Sequence, residues 1–188
     1  MKKSVRVCFL SILLAMVMVF SFSCASIEAN AYTSKYMSKT AKKNINKYVK
    51  SMKIVAQKNK SGKNKTYKIK KIKTKYVVLL FGRTGCSLTM NTLKTAEKLR
   101  KKGKSIKVVF LDVDRYDSGL YYLRKKYPKV ITSLNYPYNN RHMWTLLRYA
   151  GYYRRNVTLP ATFVLNKKHK IKYWSYSQDT YGLKAALK

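Results

Sequence analysis

Of the 188 residues, Cys86 is the side chain best suited to covalent chemistry; it lies in the stretch FGRTGCSLTM at positions 81–90. That chemistry would be nucleophilic, because the thiolate, and not the thiol, attacks a disulfide sulfur or a peroxide oxygen. An apolar run, YVVLLF (76–81), precedes the cysteine, and a helical pattern, MNTLKTAEKLRKK, follows it from position 90. Cys86 thus stands at a strand-to-helix turn, where unpaired N–H groups and the positive end of the helix dipole favour an anion. Arg83 pushes in the same direction. Gly85 and Ser87 flank the sulfur and are the neighbours that a substrate would touch. A dithiol centre of the C-x-x-C type would carry its second cysteine at 89, and that position holds Thr89.

The other chemistry-bearing residues form weaker patterns. Asp112, Asp114 and Asp117 lie close together in DVDRYD, but an EF-hand loop needs oxygens at positions 1, 3 and 5 and a bidentate acid at 12, a pattern absent here. A solvated strand end is the expectation. His142 and His169 have no cysteine or histidine at ligand spacing, so no metal site is expected and both read as surface residues. The aromatic clusters at 121–122, 152–153 and 173–176 fit helix and strand packing, with glycan contact as the alternative.

The start of the chain bears on the redox question. A basic beginning (Lys2, Lys3, Arg6), an apolar run from Val7 to about position 22 and the small-x-small triplet Ala29-Asn30-Ala31 read as a signal peptide cut after residue 31. Two alternatives stay open: an uncleaved membrane anchor, and a lipoprotein cut before Cys24. Cleavage would remove Cys8 and Cys24, two of the three cysteines, leaving Cys86 alone and unable to form an internal disulfide. The expected location is secreted or extracytoplasmic, associated with the cell envelope. Net charge is +36, from 42 basic and six acidic side chains, and residues 1–31 hold only three of the former and one of the latter. Such self-repulsion favours an anionic neighbour, and outside a cell that is a wall polymer or a membrane surface. The basic residues are spread along the chain with no base-reading motif, which argues against specific nucleic-acid recognition.

The elements that must position Cys86 follow from periodicity. Residues 37–56 place Met37, Ala41, Ile45, Tyr48, Val49, Met52, Val55 and Ala56 at helical spacing between lysines, predicting a basic amphipathic helix. QKNKSGKNK (57–65) is a polar break, so the division expected is a signal peptide at 1–31, a basic helical segment at 32–65 and one domain at 66–188. Within that domain the patterns predict strands at 66–72, 76–82 and 105–114, with a helix at 87–102 closed by Gly103. A helix at 118–127 stops at Pro128, 129–138 is extended, and 141–153 is helical. A hairpin from 161–166 and 170–176 leads to a terminal helix, 180–188, that Asp179 could cap. Alternating strands and helices ending in a hairpin and helix imply an α/β domain with a mixed central sheet flanked by helices.

In this order the elements resemble the thioredoxin superfamily, most closely its exported redoxin and thiol-disulfide reductase branch. Three features carry the resemblance over residues 67–188: VVLLFGRTGCSLTM, the strand ending FLDVD, and TLPATFVLNKKHKIKYW. It implies a thioredoxin-like fold, with the basic N-terminal helix as an addition. It also implies that Cys86 is the nucleophile, that Thr89 replaces the resolving cysteine, and that Leu159 and Pro160 form a cis-proline loop facing the sulfur, where a substrate would align. The chain departs from the family at Leu80, where a buried acid would fall, at Gly85 in place of a tryptophan, and at Met90-Asn91-Thr92, where a carboxylate often lies. No cofactor is implied.

Three functions follow as expectations. The first is a monothiol thiol-disulfide oxidoreductase or redoxin-like protein, acting on a protein disulfide or a small thiol or peroxide substrate, with an external thiol as reductant. The second is a non-catalytic module held to the anionic envelope by charge. The third is a peroxidase. CSLT resembles the C-x-x-T of glutathione-peroxidase-like proteins, but their Gln-containing loop and Trp-Asn-Phe stretch are absent. The peroxiredoxin pattern wants Thr or Ser where Arg83 stands.

Overall fold

The computed structural model describes residues 31–33, 36–57, 63–114, 119–133 and 135–188. Apart from Ala31, the expected signal segment and its alternatives lie outside the described residues, as does Asp117. In chain order the elements are β1 (Ala31–Thr33), α1 (Lys39–Ser51), β2 (Lys53–Gln57), β3 (Asn64–Lys68), a 3-10 turn (Ile69–Lys71), β4 (Tyr76–Gly82), α2 (Ser87–Lys101) and β5 (Ile106–Asp112). Then come α3 (Leu120–Lys126), β6 (Ile131–Ser133), α4 (Tyr136–Tyr149), β7 (Ala161–Asn166), β8 (Ile171–Ser175) and α5 (Thr180–Ala186). Among the described residues none of the helices is long and apolar enough to cross a membrane.

The strands form one mixed sheet in the order β1-β8-β7-β4-β5-β6-β2-β3. Strand β4 lies between β5, which is parallel to it, and β7, which is antiparallel. All seven β4 residues are buried, as a strand covered on both faces requires. Its side chains alternate between two cores. Val77, Leu79 and Phe81 join Ile45 and Val49 of α1 and Met143, Leu146 and Leu147 of α4. Tyr76, Val78 and Leu80 join Leu93 and Ala96 of α2, Leu120 and Leu123 of α3 and Leu183 of α5. The continuous apolar run that marks β4 in the sequence is therefore the seam between two helical layers.

The N-terminal segment differs from expectation. Helix α1 begins at Lys39, where Ser38 accepts a hydrogen bond from Ala41 N (3.0 Å), and it ends at Ser51 rather than near 56. Met52 closes it, its N–H directed to the carbonyls of Tyr48 and Val49 (3.1 and 3.3 Å). Residues 53–57 then become strand β2. Ile54 and Ala56 are buried and Val55 half-buried, a period-two pattern whose apolar residues also satisfy helical spacing. Pairing with β3 and β6, which local periodicity does not report, selects the strand. The division expected at 65/66 falls inside β3, and α1 and β2 share the sheet and core of the chain that follows.

Two further differences concern turns. Strand β3 ends at Lys68 and the chain bends through a 3-10 turn that buries Ile69, so the alternation at 66–72 does not run through as one strand. The segment expected to be extended at 129–138 pairs only over 131–133, and α4 starts at Tyr136 with Pro137 in its first turn, where a missing N–H costs nothing. At the C-terminus Asp179 caps α5 as expected, accepting from Gly182 N (2.8 Å) and from the Tyr173 hydroxyl (2.9 Å).

Candidate active site

Strand β4 delivers the chain to the reactive turn. Its last residue, Gly82, accepts from Val113 N (3.0 Å), which ties the ends of β4 and β5 together. A β-carbon at Gly82 would lie 2.6 Å from Thr89 Oγ1 and closer still to its Cγ2, so only glycine lets the first turn of α2 settle onto the strand end. Cys86 N donates to Arg83 O (3.2 Å), closing a tight turn, and Cys86 O accepts from Met90 N (3.0 Å) as the first helical bond. Cys86 is the N-cap of α2, with extended backbone (φ −91°, ψ 114°). The residue at this position ordinarily offers a side-chain oxygen to the free N–H groups. Here the sulfur takes that place.

Electrostatics at the sulfur favour the anion. Burial alone would push the thiol up, but the Thr89 hydroxyl, the backbone N–H groups of Thr89 and Leu88, and the charge of Arg83 outweigh it. Cys86 therefore lies below its ordinary value. Thr89 is fully buried and its Oγ1 makes no hydrogen bond of ordinary geometry to any described residue. Arg83 and Ser87 are exposed and Cys86 is half-exposed. No side chain lies near the position where a β-carbon of Gly85 would project, so the approach to the sulfur on that side is open.

The second half of the site comes from β7. The Leu159–Pro160 peptide bond is cis. Ala161 pairs with Phe81, one residue before the end of β4, so Pro160 and the Cys86 turn emerge at the same end of adjacent strands. Pro160 is buried and Leu159 packs against the core on the α1/α4 side. Leu80, where the resemblance would put an acid, is wholly buried among apolar side chains and cannot itself relay a proton. Met90 is half-buried, Asn91 exposed and Thr92 buried, its hydroxyl donating to Leu88 O (3.0 Å).

A groove of about 380 Å³ opens beside the turn, lined by Thr84, Gly85, Met90, Gly119, Tyr122 and Lys126, among others. Gly119 is required there because a β-carbon would overlap Thr84. Sequence reasoning missed this groove, since its two walls, 84–90 and 119–126, are distant in the chain.

Other readings need correction. Asp112 is not a solvated strand end: it is buried, its Oδ1 accepts from Asp114 N (3.1 Å), and its carbonyl accepts from Asn139 Nδ2 (2.8 Å). Asn139, which sequence reasoning passed over, also accepts from Ser133 Oγ (3.0 Å) and so fastens α4 to the ends of β5 and β6. His142 is half-buried and shares a 2.7 Å hydrogen bond with the Tyr48 hydroxyl, with burial lowering its pKa. His169 sits in the β7–β8 turn at φ 56°, its Nε2 3.1 Å from Ile72 O. No group of three or more metal-ligating side chains occurs among the described residues.

No protein-family model matches the chain, and no curated protein matches its sequence. Solved structures do. A DsbF homologue from Corynebacterium diphtheriae aligns with a TM-score of 0.55 at 14% identity, covering 86% of this chain and 94% of its own. A candidate thiol:disulfide interchange protein DsbE from Chlorobium tepidum aligns with a TM-score of 0.50 at 15% identity, over 74% and 96%. Together with the sheet order, the cysteine that opens α2 and the cis-proline that leads into β7, these likenesses establish that the chain has a thioredoxin-like fold.

Proposed function

We propose that this protein is a monothiol thiol-disulfide oxidoreductase working outside the cytoplasm, with Cys86 as its nucleophile. The observation that carries the reading is the lowered thiol at the N-cap of α2, where the Thr89 hydroxyl and two backbone N–H groups favour the thiolate. The Cys86 thiolate attacks one sulfur of a substrate disulfide. A Cys86–substrate disulfide forms, and the other substrate sulfur leaves as a thiolate that takes its proton from water. With Thr89 in the resolving position, no second thiol of the turn can break that bond. An external thiolate attacks the substrate sulfur of the mixed disulfide, forming a new disulfide with it and releasing the Cys86 thiolate. A second external thiol completes net reduction by taking that disulfide apart.

The surface supports this division of labour. Arg83 and Ser87 frame an accessible sulfur, and the Leu159–Pro160 loop ends level with the turn, leaving a backbone edge on which an extended substrate would lie. An extracytoplasmic setting fits the basic, apolar, small-residue order of positions 1–31. Peroxide reduction is the weaker reading because the glutamine, tryptophan and asparagine of peroxidatic sites have no counterparts here.

The test is alkylation of the full-length Cys8→Ser/Cys24→Ser protein by iodoacetamide across a pH series, so that Cys86 is the thiol read. The expected midpoint lies below that of free cysteine, and turnover of a glutathione mixed disulfide with excess external thiol disappears in Cys86→Ser. A midpoint at or above that of free cysteine would overturn the proposal.

A further inference from the structure

The opposite face of the sheet from α2 carries a second concave surface. A cleft of about 630 Å³ lies between the start of α1, the end of α4 and the end of β8. A further hollow of about 590 Å³ continues from it, sharing Arg148, Tyr152, Tyr153 and Arg154 and adding Trp144 and Arg155. Among the described residues no acidic side chain lines either part. The shape is set by a helix stop. Gly151 (φ +90°) ends α4 in the left-handed region, so Gly151 N and Tyr152 N return to the carbonyls of Arg148 and Leu147 (3.0 and 2.9 Å). The chain then turns back and presents Tyr152, Tyr153 and Arg154 over the cleft, while the closing N–H groups satisfy carbonyls that would otherwise add negative charge.

The floor is aromatic and rigid. Trp174 stacks on Phe163 (13° between planes), and Tyr176 packs on both Tyr152 (4.5 Å between centroids) and Trp174 (5.9 Å). The rim is the reverse: Tyr36 and Tyr153 are 76% and 80% exposed, and Arg148 and Arg154 are exposed beside them. Hydroxyl and amide groups of Thr40 and Asn44 form one wall. The exposed rings of Tyr36 and Tyr153 suit the apolar face of a sugar, guanidinium groups suit phosphate, and hydroxyl-bearing walls suit a polyhydroxylated chain. A nucleobase would stack on the same exposed rings, so a single-stranded DNA probe separates the two ligands. A bilayer surface would meet a convex face, and this one is concave.

We propose that this cleft binds an anionic glycan, a sugar-bearing polyol-phosphate polymer of the kind found in cell envelopes, independently of Cys86. Arg148 and Arg154 would engage phosphate, and the exposed rings of Tyr36 and Tyr153 would receive the sugar ring. The lysines on the exposed side of α1, among them Lys39, Lys43 and Lys47, would follow the polymer beyond the cleft.

The experiment measures binding of the full-length protein to a fluorescent glycerol-phosphate oligomer carrying N-acetylglucosamine, with three comparison probes. These are the same oligomer without the sugar, a single-stranded DNA of equal charge, and anionic vesicles. The expected result is preference for the sugar-bearing oligomer. Arg148→Gln/Arg154→Gln should weaken it about tenfold or more, Tyr153→Ala should reduce the preference for the sugar, and Cys86→Ser should leave it unchanged. Lys167→Gln/Lys168→Gln removes the same charge from the far β7–β8 turn and should change binding less than about threefold. Equal losses in the two charge pairs, equal binding of the sugared and unsugared oligomers, or tighter binding of the DNA or the vesicles would each overturn the proposal.

Discussion

The turn at Cys86 and the cleft on the α1/α4 face lie on opposite faces of the same sheet, and they are built in opposite ways. The turn is local. Residues 82–90 supply the glycine, the cysteine, the threonine and the helix N–H groups, and their sequence order fixes their geometry. The cleft draws on residues from Tyr36 to Tyr176 that meet only because α1, α4 and β8 pack on one side of the sheet. A few neighbours tune one site, and the assembled fold makes the other. The first should therefore answer sharply to single substitutions and the second to pairs.

Cys86→Ser is the most severe break of this comparison. Thiol exchange should fall to the background of free thiol in a mixed-disulfide turnover assay, with oligomer binding unaffected. If both were lost, the two regions would not be independent. Next in size, Leu80→Ala should destabilise the protein by about 2–5 kcal/mol in urea unfolding, because it removes a buried side chain from the layer that supports α2. Exchange activity at 25 °C should survive in the folded fraction, since Leu80 relays no proton.

Thr89→Val sharpens the local side. It keeps the volume beneath the sulfur and removes the one hydroxyl that favours the thiolate, so the alkylation midpoint should move to higher pH with little change in unfolding midpoint. The sign for stability follows from linkage. Because folding lowers the Cys86 pKa, the thiolate's contribution is fully present above the ordinary thiol value of 9.0 and is lost as pH falls through the folded value. Wild type should therefore gain stability relative to Cys86→Ser as pH rises towards 9.0, and Thr89→Val should gain less. The smallest effect is expected from Arg83→Gln. Its exposed charge is screened by solvent, so the upward shift of the alkylation midpoint should be slight and should vanish at high salt.

Where the determinants are contiguous, the sequence was legible. The YVVLLFG run, Gly103 behind α2 and Asp179 before α5 each announce an element through residues within a few positions of it. The place of Cys86 at the helix start, too, was readable from the order strand, turn, cysteine, helix. What failed was pairing. Residues 53–57 carry apolar side chains that suit either a helix or a strand, and only hydrogen bonds to 64–68 and 133 decide between them. Asn139, between the segment expected to be extended at 129–138 and the helix expected at 141–153, drew no reading, because only α4 places it against the carbonyl of Asp112. His142 read as exposed because Tyr48, its partner, lies on α1, 94 positions earlier.

By itself the sequence determined that a cysteine would sit at the start of a helix behind a two-sided strand, with a threonine three residues on. Those are facts of composition, spacing and backbone geometry within about ten residues. Tertiary structure alone decided the rest. It brought the Leu159–Pro160 loop level with the turn, moved the N-terminal segment into the sheet, and gathered arginines and tyrosines into a cleft. Each of these depends on close packing between segments far apart in the chain, whose encounter is fixed by burial and strand pairing and not by local preference.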